Sequence, residues 1–75
     1  MAVEKYMLDG LVQGKNYFKL RIRKYGARSI GKELVRDTSP LSKKLEKLSG
    51  MGNKRKNTAV FVENGIVIDV DVPRR

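Results

Sequence analysis

Residues 58–72 read TAVFVENGIVIDVDV, two β-branched apolar runs on either side of Asn64-Gly65. Asn-Gly suits a two-residue type I′ turn, because both central positions of that turn need a positive φ. The segment therefore predicts a C-terminal β-hairpin in which Glu63 pairs with Ile66 and Val62 with Val67. A regular register places Ala59, Phe61, Ile68 and Val70 on one face, and Val60, Val62, Val67, Asp69 and Asp71 on the other.

A second hairpin is predicted in the first third of the chain. Residues 17–25 alternate, with Phe18, Leu20 and Ile22 on one face and basic side chains on the other, which indicates a half-buried strand. Gly14-Lys15-Asn16 is a turn signal before it, and residues 6–13 are the predicted partner strand. Because Val3, Met7 and Leu11 are also helically spaced, a helix over residues 3–12 is the alternative.

Two helices are predicted between the hairpins. Ser39-Pro40 fits a helix N-cap followed by Pro at the first helical position, and Gly50 is placed to end that helix. The stripe inside it is Leu41, Leu45 and Leu48. A shorter helix is expected over residues 29–37, with Ile30 and Leu34 facing inward. The chain is thus predicted to be a single basic domain, residues 1–75, of the α+β class: a small two-layer domain with the order β-β-α-α-β-β and a flexible basic loop at residues 51–57.

Size and composition limit what stabilises this domain. A chain of 75 residues buries about 60% of its unfolded surface and is marginally stable. The chain has no Cys and no His, so disulfides and a zinc site are excluded and no cofactor is predicted. Self-association or a bound partner is the remaining support. The predicted homodimer interface is the apolar strip that Phe61 and Ile68 leave free on the hairpin: Val60, Val62 and Val67. The alternative is that the helices cover one face of this hairpin and the first hairpin covers the other.

The balance of charge favours a polyanionic partner. Seventeen Lys and Arg against eight Asp and Glu give a formal net charge of +9. Such a field attracts nucleic acid and releases counterions on contact. The cations cluster in two acid-poor segments, which predict phosphate contacts from a first strip, Lys19, Arg21, Arg23, Lys24 and Arg28, and from a second strip, Lys43, Lys44, Lys47, Lys54, Arg55 and Lys56.

Within the first strip, the cations of one strand face lie about 6.6 Å apart, comparable to successive phosphates of an extended backbone. Tyr17 and Tyr25 share that parity and are predicted to stack on bases or sugars. The alternative reading is a solvated strand face whose long cations cover a small core.

No motif supports catalysis. The run from Gly50 to Lys54 follows a helix, whereas a phosphate-binding loop must open one. Asp69 and Asp71 are too few acids for a metal-dependent nuclease when His is absent. The helix order resembles a winged helix, but residues 37–39 lack the usual turn glycine and the hairpin tip at Glu63 carries no cation. The protein is therefore predicted not to be an enzyme.

These observations predict a non-enzymatic nucleic-acid-binding protein, a small DNA-binding regulator or architectural protein in transcription, with duplex DNA ahead of structured RNA. One alternative is a ribosome-associated or other structured-RNA-binding protein. Another is a protein-interaction module or inhibitor that docks through the apolar hairpin face. No apolar run reaches the roughly 20 residues of a membrane span, and the start at Met1 does not resemble a signal peptide. No membrane partner is predicted, and an intracellular location, cytoplasm or nucleoid, is expected.

Overall fold

The computed structural model describes residues 2–24, 29–37, 40–55 and 57–73, with residues 29–32 described by their backbone. Within these described ranges, one α-helix, one 3-10 helix and five strands follow one another in the order β-β-β-α-3-10-β-β. The elements are β1 (Glu4–Gln13), β2 (Tyr17–Arg23), β3 (Ser29–Arg36), α1 (Ser42–Ser49), the 3-10 helix (Gly52–Arg55), β4 (Ala59–Glu63) and β5 (Ile66–Val70).

The five strands form one antiparallel sheet in the order β3-β2-β1-β4-β5. Strand β1 pairs with two neighbouring strands: residues 4–7 pair with β4, and residues 7–13 pair with β2. Its register with β2 shifts between Leu8 and Gly10, as at a β-bulge, which bends a strand. The two outer strands, β3 and β5, also contact each other, so the sheet curls into a partly open barrel. Along the chain, a three-stranded meander is followed by a helix and by a hairpin that returns to β1.

The interior of the barrel is apolar, and α1 packs against it with its leucine side chains. Phe18, Leu20 and Ile22 of β2 are buried there, because the strand period of two sends alternate side chains inward. Leu45 and Leu48 of α1 are fully buried in the same core. Burying each such leucine stabilises the fold by about 1.5–3 kcal/mol. No helix in the described part of the chain is long and apolar enough to cross a bilayer.

Both predicted hairpins are confirmed. Asn64 and Gly65 have φ values of 53° and 76°, as a type I′ turn requires. Glu63 pairs with Ile66, and Val62 with Val67, as predicted. At the other end of the chain β1 pairs with β2 around the turn at residues 14–16, so the alternative helix over residues 3–12 is wrong.

The predicted helix over residues 29–37 is wrong, and so is the order β-β-α-α-β-β. Residues 29–36 form β3, in which Leu34 is 66% exposed and Val35 is 6% exposed, the reverse of the predicted inward Leu34. Opposite the buried Leu20 and Ile22 of β2 stand Glu33 and Gly31 of β3. Because those core-side positions are acidic or small, the strand lacks the apolar alternation that would reveal it. The coarser α+β class holds.

The predicted faces of the C-terminal hairpin are wrong in two respects: the strip predicted to be free is buried, and Val70, predicted on the opposite face, is buried with Val60. Beyond Val62 the register shifts, so Phe61 pairs with Asp69 and Val60 with Val70. The strip predicted as a dimer interface, Val60, Val62 and Val67, is buried in the core of one chain, with Val60 at 0% exposure. The exposed apolar side chains of the hairpin are Ile66 and Ile68 instead.

The leucine stripe of α1 is confirmed, but the predicted first residue of the helix is wrong. Leu41, Leu45 and Leu48 are all buried. The helix begins at Ser42 with Leu41 in the cap position and without a side-chain cap, so Pro40 is not its first residue. Ser39 lies outside the described residues. Gly50 takes the C-cap position, as predicted, and residues 52–55 within the predicted basic loop form the 3-10 helix.

Candidate nucleic-acid interface

Strand β2 presents its polar side chains on the outside of the barrel. Lys19, Arg21 and Arg23 alternate with the three buried residues of the strand, and Tyr17 follows the same parity. The structure thus places these cations of the predicted first strip on one outward face. Lys24 is exposed just beyond the strand, whereas Tyr25 and Arg28 lie outside the described residues.

The neighbouring strands complete this surface. Val12 of β1 and Leu34 of β3 both pair with Lys19, so one row crosses three strands, and Tyr17 pairs with Arg36 of β3. Directly paired residues share a face with Cβ atoms about 4.5–5.5 Å apart. We call this surface the β1–β3 outer face and define it by the side chains of Val12, Tyr17, Lys19, Arg21, Leu34 and Arg36.

A cleft of about 250 Å³ opens at one side of this face, lined by Gly10, Leu11, Val12, Lys19, Arg21 and Arg55. Gly10 pairs with Arg21 and has no side chain to fill the space beside it. Arg55 comes from the 3-10 helix, within the predicted second strip. The fold therefore brings cations of both predicted strips to one cleft, and the described residues that line it include no carboxylate.

The backbone around Arg55 is tied to β1 through Thr58. The carbonyl of Arg55 accepts hydrogen bonds from the hydroxyl and the amide N–H of Thr58, which is a buried residue. The carbonyl of Thr58 in turn accepts the N–H of Leu8 at 2.8 Å. This chain of bonds holds the 3-10 helix beside the cleft.

Two predicted contact cations are paired with acids. Arg23 Nε lies 3.7 Å from Asp9 Oδ1, and Lys44 Nζ lies 2.9 Å from Asp69 Oδ1 on β5. The Lys44 hydrogen bond lowers the pKa of Asp69, and the N–H of Val70 supports this. Lys44 therefore links α1 to β5. The other described cations of the second strip, Lys43, Lys47 and Lys54, are exposed, whereas Lys56 lies outside the described residues.

Tyr17 is held by the turn that precedes its strand. The N–H of Gly14 donates to the carbonyl of Tyr17 at 2.8 Å, and a Cβ on Gly14 would clash with the Tyr17 ring. The absence of a side chain at Gly14 thus lets the ring pack against the turn. Tyr17 is 38% exposed, so part of the ring remains available to a ligand.

Four participants were not identified from sequence: Gly10, Val12, Leu34 and Arg36. Val12 lies on the same face of β1 as Gly10, beyond the bulge. The position of the bulge is known only from the pairing of β1 with β2. Leu34 and Arg36 were assigned to a helix, in which they would not share a face with Lys19. The two-residue spacing of Lys32, Leu34 and Arg36 was the available indication that these residues share one face of a strand.

A second cleft, of about 350 Å³, has the opposite character. Glu4, Tyr6 and Glu33 line it, together with Ile22, Val62 and residues of the β4–β5 turn. The Tyr6 hydroxyl donates to the Glu4 carboxylate, and this bond, more than burial or the neighbouring charges, raises the pKa of Tyr6. Carboxylates repel phosphate, so this cleft is not a candidate for a polyanion.

A metal site is not assembled in the described part of the chain, where no three acidic side chains come together. Asp69, one of the two acids considered from sequence, is engaged by Lys44. No protein family, curated protein or solved structure matches this chain.

Proposed function

We propose that this protein binds nucleic acid through the β1–β3 outer face and Arg55, and that it catalyses no reaction. The observation that carries the proposal is the convergence of Lys19, Arg21 and Arg55 on a cleft whose described lining is free of carboxylates. Guanidinium groups form strong, charge-assisted hydrogen bonds with phosphate oxygens. The net charge of +9 adds a long-range attraction to any polyanion.

Fold-level analogy gives weaker support. The five-stranded, partly open barrel is similar to an OB-fold, whose second and third strands form a face that holds oligonucleotides and oligosaccharides. The cationic face here lies on β1, β2 and β3. One fold hosts many functions, so the charge and the cleft remain the primary argument.

The kind of nucleic acid is less constrained. The winged-helix arrangement considered from the sequence needs a helix where β3 stands. A small DNA-binding regulator or architectural protein and a structured-RNA-binding protein are both compatible with the cationic face. Competition between DNA and RNA of matched sequence separates them.

The test is fluorescence anisotropy with labelled DNA and RNA over a series of salt concentrations. Lys19, Arg21, Arg36 and Arg55 would contact about four phosphates, so we expect a log–log salt slope near −3 to −4 on duplex DNA. The variant Lys19→Ala/Arg21→Ala should weaken binding strongly. Lys43→Ala/Lys47→Ala removes the same charge from α1 and is the matched control. An affinity that does not change between about 50 and 200 mM salt would refute the proposal.

A second candidate is self-association through the outside of the C-terminal hairpin. Ile66 is 66% exposed and Ile68 is 44% exposed, with half-buried Phe61 on the opposing strand. Covering these side chains would stabilise a small domain that has neither disulfide nor zinc. Sedimentation of the unmodified protein and of Ile66→Lys tests it: we expect a dimer for the first and a monomer for the second. An 8.5 kDa monomer for the unmodified protein at high concentration would exclude this interface.

A further inference from the structure

Two exposed aliphatic side chains flank one lysine on the β1–β3 outer face. Val12 is 60% exposed and Leu34 is 66% exposed, and each pairs with Lys19 from opposite sides. With strands about 4.8 Å apart, Val12 and Leu34 stand about 10 Å from each other across the lysine. Single apolar side chains on a surface need no explanation. Here the pair lies in register on the cationic β1–β3 outer face.

This combination fits one form of nucleic acid better than the other. A duplex turns its phosphates and sugars outward and keeps the faces of its bases stacked inside. Such a ligand satisfies Lys19 and Arg21 but offers Val12 and Leu34 no flat apolar partner. An unpaired strand exposes base faces, and covering an aliphatic side chain with one removes apolar area from water.

We infer that the ligand of this face is an unpaired stretch of DNA or RNA, whose bases cover Val12 and Leu34 while its phosphates meet Lys19, Arg21 and Arg55. The inference rests on the proposed function and specifies its ligand. The cleft beside Gly10 is smaller than the roughly 300–1,000 Å³ of pockets for drug-sized ligands, so it suits a single phosphate or base. Contacts of this kind are sequence-tolerant, because every base has an apolar face.

The experiment compares strands of about 12 nucleotides, unable to pair with themselves, with duplexes of the same sequence at equal salt. Binding is measured by anisotropy for the unmodified protein, for Val12→Ser/Leu34→Ser and for Lys19→Ala/Arg21→Ala. Val3→Ser is the matched control, because Val3 is also an exposed valine but precedes β1 at its other end. Circular dichroism melting of each variant checks that the fold persists.

We expect the single strand to bind more tightly than the duplex. Val12→Ser/Leu34→Ser should weaken single-strand binding about tenfold with an unchanged salt slope, and leave duplex binding unaltered. Equal or tighter duplex binding, together with no effect of the serine variant, would overturn this inference and leave the proposed function standing. Failure of both nucleic acids to bind would overturn the proposed function and this inference together.

Discussion

Gly10 of β1 lies directly opposite Arg21 of β2, and a Cβ built on Gly10 would approach the Arg21 Cβ to 3.7 Å, an ordinary van der Waals contact. Gly10 does not have a positive φ, so its backbone is compatible with other residues. The glycine is therefore not required by the strand. Its consequence is space beside the Arg21 side chain, where the cleft opens.

Gly10→Leu should fill this cleft without unfolding the barrel. The new Cβ makes only an ordinary van der Waals contact with Arg21, and the side chain replaces a residue that weakens strands. We expect a melting temperature close to that of the unmodified protein and a clear loss of nucleic-acid affinity, measured by thermal melting and anisotropy on the same sample. Unchanged affinity would show that the ligand does not enter the cleft.

Arg21 and Arg23 stand on the same strand face but should differ in their contribution. Arg23 is paired with Asp9, whereas Arg21 lines the cleft. Arg21→Ala should weaken binding about tenfold and reduce the magnitude of the salt slope by about 1. Arg23→Ala should have a smaller effect, because Asp9 already compensates its charge. Equal effects of the two variants would mean that net charge alone drives association.

Leu45→Ala should destabilise the domain by about 2–5 kcal/mol, the range for truncating a buried leucine. Leu45 is fully buried at the centre of the α1 stripe, and a domain this small has little stability in reserve. Urea or thermal unfolding measures the change. Lys43→Ala, two positions earlier on the exposed side of the same helix, should unfold almost like the unmodified protein. An unchanged midpoint for Leu45→Ala would contradict the packing of α1.

The Lys44–Asp69 pair should make a small contribution that depends on pH. Because its folded pKa lies below the ordinary value of 3.8, Asp69 adds stability above that value and loses it as the pH falls through the folded pKa. Both side chains are about half exposed, so Lys44→Ala should cost no more than about 1 kcal/mol at neutral pH. At an acidic pH below the folded pKa of Asp69 the cost should vanish. Lys47→Ala removes the same charge and should show no such difference between the two pH values.

The candidate site was only partly predictable. Lys19, Arg21 and Arg23 were assigned to one outward face because their strand alternates regularly, and the structure places them there. Arg55 was identified as a contact of a separate strip. Its position beside Arg21 follows from the return of β4 to β1 and from the bonds around Thr58, which link residues far apart in the chain.

By itself the sequence determined the two hairpins, the leucine stripe of α1 and the excess of positive charge. These depend on local properties: the positive φ that Asn64 and Gly65 tolerate, the period of two in β2 and the helical spacing of three leucines. Tertiary structure alone decided that residues 29–36 form a strand, that Val60 and Val62 face the core, and that the cations converge on a cleft. The physical reason is that pairing with β2 and closure of the barrel bury surfaces that are distant in the chain, and this gain overrides local preference where β3 has no apolar alternation. In the hairpin, the register shift brings Val70 to the same face as Val60, and this is the face that the barrel buries.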